Sequence, residues 1–119
     1  MGVKLELFAT EAEPRTCGLG EVIFRMYDMG AEMYVVLEGE VDLMIDDHVF
    51  ETLGPGEPFG EMALIDQSPR VATAVAKTPC KLAVISEKRF LFLVQQTPYF
   101  ALHIMKVMCD RLRKMHART

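Results

Sequence analysis

The chain has 119 residues, a formal net charge of −4 and a pI near 5.3, with 50% apolar and 25% charged residues. That is the size and texture of one globular domain, too apolar for disorder, and its acidic balance argues against a nucleic-acid surface. No apolar run approaches the roughly 18 residues that span a bilayer, and the start, M-G-V-K-L-E-L, lacks a signal-peptide shape.

Residues 1–17, with a short apolar patch at Leu5, Leu7 and Phe8 and a proline at 14, read as an N-terminal arm or short helix. From residue 18 the texture changes to short apolar runs broken by turn signals. Val22–Met26 is a strand candidate, followed by Asp28 and Gly30 as turn residues. M-Y-V-V-L-E at 33–38 is rich in the β-branched and aromatic residues that suit a strand, and Gly39 permits a sharp break. V-D-L-M-I at 41–45 and V-F-E-T-L at 49–53 flank Asp46 and Asp47, a hairpin turn without the stronger Asn-Gly or Asp-Gly signal. L-G-P-G-E-P-F-G-E at 53–61 is loop by its glycines and prolines. Two more strands follow at 71–76 and 80–85.

Ser86 caps a helix predicted over 87–96, with Glu87 favourable in its first turn. Thr97 and Pro98 break it and start a last helix over 98–116. Six or seven short strands followed by helices give an α+β fold: an antiparallel β-roll, jelly-roll-like, over 18–86, with C-terminal helices over 87–116. Arg111, Arg113, Lys114 and Arg118 read as cations complementing the end of that last helix. Cys17, Cys80 and Cys109 are odd in number and widely spaced, which predicts neither a metal pair nor a disulfide framework and points to a reducing cytoplasm.

The chemistry concentrates in F-G-E-M-A-L-I-D-Q-S-P-R-V-A-T-A at 59–74. A glycine turn leads into residues able to make a short helix near 60–66, and free N–H groups at a helix start suit an anion. Gly60 and Ala63 allow close approach, while Arg70 offers a planar fork matched to a phosphate's paired oxygens. Glu61 would repel phosphate, so it is better matched to a hydroxyl donor on the same ligand. A 3′,5′-cyclic nucleotide presents that pair, a phosphate and a ribose 2′-hydroxyl. On residue types alone, a surface Glu61–Arg70 ion pair beside a Gly-rich turn is the competing reading.

The stretch resembles the phosphate-binding cassette of the cyclic-nucleotide-binding domain family, whose pattern is roughly F-G-E-x-A-L, five or more residues, then R-x-A. Phe59, Gly60, Glu61, Ala63, Leu64, Arg70 and Ala72 follow it in order. G-E-V-I-F-R-x-x-D at 20–28, M-Y-V-V-L-E-G-E-V at 33–41 and L-G-P-G-E-x-F-G-E at 53–61 resemble the family's preceding strands and turns, so the likeness covers about residues 18–116. It implies a ligand site of Gly60, Glu61, Met62, Ala63, Arg70, Val71 and Ala72. Backbone donors near Met62 and Ala63 and the Arg70 clamp would take the phosphate, and Glu61 the 2′-hydroxyl. Val71 departs from the hydroxyl or alanine usual after the arginine, and a hydroxyl there helps to bind guanine, so the resemblance favours cAMP over cGMP. Asp42 departs from a small residue.

The resemblance also implies a final helix covering the base, with Met115 and His116 as candidate lid residues. Ala101, Met105, Met108, Leu112 and Met115 form a stripe that fits either a homodimer seam or packing on the roll. Phe100, Ile104 and Val107 make a second apolar edge able to face the roll. The expected activity is that of a stand-alone sensor which binds a cyclic nucleotide, most readily cAMP, and signals through its last helix to a separate effector. The alternative is a ligand-free dimerisation or docking module. No catalysis, cofactor, metal, nucleic-acid or membrane partner is expected: His48, His103 and His116 form no H-x-H pair, against a metal-dependent cupin-type enzyme.

Overall fold

The computed structural model describes residues 13–117. Two four-stranded antiparallel sheets face each other to form the β-roll, and C-terminal helices pack on the outside of one of them. The first sheet has the order β1 (Arg15–Cys17), β8 (Cys80–Ser86), β3 (Glu32–Glu38), β6 (Pro58–Phe59). The second has the order β2 (Val22–Phe24), β7 (Thr73–Ala76), β4 (Val41–Ile45), β5 (His48–Leu53). Three helices complete the fold: α1 (Met62–Ile65), α2 (Glu87–Gln96) and α3 (Pro98–Ala117).

Alternation along the strands separates two cores. Tyr34 and Val36 of β3 and Leu82 of β8 point into the roll with Val41, Leu43, Leu53, Phe59 and Ala74. Their sequence neighbours Met33, Val35, Ala83 and Ile85 point the other way, onto Leu93, Phe100 and Ile104 of the helices. The unbroken apolar runs of β3 and β8 thus belong to strands buried on both faces, since successive side chains alternate between them. Gly39 makes the turn from β3 to β4 at φ 85, and a Cβ there would stand 2.7 Å from that of Cys80. Only glycine meets both demands cheaply. Asp46 turns the β4–β5 hairpin at φ 55, a conformation aspartate tolerates because its short side chain can bond locally.

Several boundaries differ from expectation. Arg15–Cys17, assigned to an arm, form β1 and pair with β8, so the roll begins before residue 18. The remainder of the expected arm, residues 1–12, lies outside the described residues. Pro58–Phe59, read as loop, are buried and pair with β3 as β6. β2 stops at Phe24 because the chain turns at once: the Met26 amide donates to Thr73 Oγ1 at 2.9 Å and Tyr27 has φ 75. Val71 and Ala72 precede β7 rather than belonging to it. α2 starts where its cap places it, with Ser86 Oγ accepting from the Arg89 amide at 3.2 Å.

Candidate functional site

Glu61 and Arg70 are the buried charged side chains among the described residues, at 4% and 6% exposure. Burying a charge is costly unless partners compensate it, and each has them. Arg70 reaches under the Gly60 turn: Nη1 donates to the Gly60 carbonyl at 2.9 Å and Nη2 to the Glu32 carbonyl at 2.8 Å. Its guanidinium lies 4.1 Å above the Phe24 ring centroid, a cation–π contact. Burial lowers its pKa from the ordinary value, opposed by Tyr34, Glu32 and Glu61. Nε remains a buried donor with no hydrogen-bond partner among the described residues. Gly60, at φ 79, keeps the turn open, because a Cβ there would sit 2.8 Å from Arg70 Nη1.

Glu61 pairs with an arginine not foreseen for it. Arg111 of α3 donates from Nη1 to Glu61 Oε1 at 2.7 Å, from Nε to Glu51 Oε1 at 3.0 Å and from Nη2 to the Pro58 carbonyl at 2.6 Å. Lys114 adds a bond to Glu51 Oε2 at 3.0 Å. Burial pushes the Glu51 carboxyl up, but the hydrogen bonds and charges of Lys114 and Arg111 outweigh it and hold its pKa below the ordinary 4.5. The expected bond partner in the bland reading of the cassette, Arg70, is instead held by carbonyls, so the two signature residues do not form a plain surface pair.

Gly60, Glu61, Met62, Ala63, Arg70, Val71 and Ala72 line one concavity, together with Phe24, Leu43 and Arg111. At its rim α1 opens with the Met62 and Ala63 amides, which precede the first bonds of the turn, from Leu64 and Ile65 to the Glu61 carbonyl. A contiguous apolar cavity of about 300 Å³ runs from Leu43, Ile45 and Phe50 to Met108, Leu112 and Met115, so α3 roofs it. Among the described residues no serine or threonine lines it. Of the two candidate lid residues, Met115 lines this cavity, whereas His116 is exposed and not among its lining. Asp42 points elsewhere, accepting a 2.6 Å bond from Thr52 Oγ1 across β4 and β5.

Arg111 was legible only as one of several basic residues at a helix end. A signal was present: it lies three residues after Met108 and four before Met115, a charge on the apolar stripe itself. Its partners, 50 and 60 residues away, leave no local trace.

A roll with an anion-compatible turn, a buried carboxylate beside it and a helix over an apolar chamber is the architecture of a regulatory ligand-binding domain. The cyclic nucleotide-binding domain model matches residues 14–97, and the chain belongs to that family. It is 40% identical over 84 residues to a cAMP-dependent protein kinase regulatory subunit of Eremothecium gossypii, covering 71% of this chain and 18% of that one. The catabolite activator protein of Thermus thermophilus superposes with a TM-score of 0.78 at 30% identity, over 94% of this chain and 60% of that one. The c-di-GMP responsive global regulator of Xanthomonas campestris gives 0.81 at 28% identity, over 95% and 60%. The chain spans between 18% and 46% of the length of the curated relatives it matches.

Proposed function

We propose that this domain binds a 3′,5′-cyclic nucleotide, cAMP ahead of cGMP, and transmits occupancy through α3 without chemically changing the ligand. The observation that carries the reading is the unpartnered Nε of Arg70, buried at a concavity lined by the whole cassette. A cyclic phosphate supplies the acceptor this donor lacks, with the Met62 and Ala63 amides as further donors. The ribose 2′-hydroxyl donates to Glu61, and the base enters the apolar cavity beneath Met108, Leu112 and Met115. Guanine brings more polar edge groups into that lining than adenine does, and leaving them unpaired is costly. Hence the preference for cAMP.

Transmission runs through Arg111, which holds Glu61 from α3. A hydroxyl drawing on the same carboxylate changes the balance of that bond, so ligand and helix position are linked to the extent that the ligand prefers one arrangement. In this reading the domain works in the cytoplasm on a separate effector, with Met105 and Leu112 exposed on α3 for contact with a second copy. One observation favours the ligand-free docking alternative: Glu61 already has a protein partner in Arg111, and Arg70 has two carbonyls. Calorimetric titration with cAMP, cGMP and 2′-deoxy-cAMP separates the two. Binding should be weaker for cGMP and for the deoxy ligand, and Arg70→Ala should weaken cAMP by about 30- to 150-fold, or 2–3 kcal/mol. No heat with any of them, or an unaffected Arg70→Ala, overturns the proposal.

A further inference from the structure

A second pair of residues, remote in sequence and unused by the nucleotide site, is brought together by strand register. Cys17 of β1 stands directly opposite Cys80 of β8. Both are free and buried, each 5% exposed, and both belong to the core of the roll. Directly opposed residues of an antiparallel pair have Cα atoms about 4.5–5.5 Å apart, inside the roughly 4.4–6.8 Å over which a disulfide closes. Neither cysteine lines the cassette concavity or the apolar cavity. Cys109, by contrast, is exposed on α3.

We propose that Cys17 and Cys80 are a redox-sensitive pair, closed into a cross-strand disulfide by a low-molecular-weight disulfide oxidant, which staples β1 to β8. The thiolate of one cysteine attacks the oxidant's S–S bond, forming a mixed disulfide and expelling one small thiolate. The second cysteine's thiolate then attacks the protein sulfur of that bond and expels the other. One small disulfide is reduced to two small thiols while two protein thiols lose two electrons and two protons.

The surroundings set the rate of this exchange. Burial raises the pKa of Cys17, and raises that of Cys80 to about 11, so the docked thiols are mostly protonated and slow to react. β1 is only three residues long and sits at the sheet edge, with β8 its one partner among the described strands. Short edge elements open locally at low cost, and each opening exposes both sulfurs. Oxidation therefore follows fraying of β1, and the bond once formed prevents that fraying.

The test uses the full chain carrying Cys109→Ser, incubated with excess oxidised glutathione, quenched in acid, denatured and alkylated for mass spectrometry. The expected product is about 2 Da lighter than the reduced chain, with no alkylated cysteine, and yields one Cys17–Cys80 linked peptide on non-reducing digestion. Its thermal midpoint should rise by about 10 °C, a shift reversed by dithiothreitol. Peptide mapping of the unsubstituted chain provides the same reading without any variant. Two alkylated thiols, or separate glutathione adducts on Cys17 and Cys80, under conditions that oxidise the urea-unfolded chain would overturn the proposal.

Discussion

The two halves of α3 are held to the roll by different forces. In the first half, Phe100 and Ile104 are 1% and 2% exposed and pack with Met33, Val35, Ala83, Ile85 and Leu93. Phe90 of α2 meets Phe100 edge to face at 5.8 Å. In the second half, Leu112 and Met115 remain partly open to solvent, and the attachment is ionic: Arg111 and Lys114 on Glu51 and Glu61. Apolar burial is non-directional and indifferent to a small ligand's charges. An ion pair whose carboxylate lines the candidate concavity is not. One continuous helix thus has an end anchored by apolar burial and an end held by ion pairs, and the ion-paired end is the one above the candidate concavity.

The largest expected effect comes from removing the anchor. Phe100→Ala should destabilise the domain by about 3–5 kcal/mol, through lost burial and the cavity left behind. In denaturant titration this should appear as a lower midpoint of the single global transition, because the side chain bridges α2, α3 and the first sheet. A cost below about 1 kcal/mol would mean that the anchored half is not held by this core.

Arg111→Met probes the other half. The methionine keeps much of the apolar stem, but Glu61 is left buried without its cation, and loss of one partner of a buried pair costs on the order of 3 kcal/mol. Here the loss should be local. Hydrogen exchange should accelerate over residues 105–117 while α2 and the Phe100 turn keep their protection. Loss spread evenly over the domain would erase the distinction between the halves.

The same contrast explains what the sequence made legible. Local patterns located β3, β4, α2 and the start of α3, since alternation, capping by Ser86 and the break at Pro98 are all written within a few residues. The cassette was readable for the same reason, as its candidate residues fall within 60–72. Four features escaped because they depend on partners far along the chain. β1 is a strand only by pairing with β8, and β6 is two residues hidden in a Gly- and Pro-rich stretch. Cys17 and Cys80 looked unrelated until the register set them opposite each other. Arg111 looked like a helix-end cation, although it bonds residues on β5, β6 and the start of α1 at once.

The smallest expected effect sharpens the comparison through pH. The Glu51 carboxyl lies below its ordinary 4.5 in the folded chain, because bonds and charge from Lys114 and Arg111 outweigh the upward push of burial. A carboxylate with a depressed folded pKa binds protons more readily when unfolded. Its contribution is therefore fully present above the unfolded value and is lost as pH falls through the folded one. The window lies below about pH 4.5. Between pH 6 and pH 5 this group should leave the thermal midpoint unchanged, and further acidification should lower it. Glu51→Gln removes the titrating group and keeps the side chain's shape, so the variant should start lower at pH 6 and show a shallower acid decline. Far-UV circular dichroism melts of both proteins across pH 6 to 3 measure the difference in slope. Parallel curves would mean that the charge on Glu51 does not hold the second half of α3, leaving Arg111 anchored by Glu61 and the Pro58 carbonyl alone.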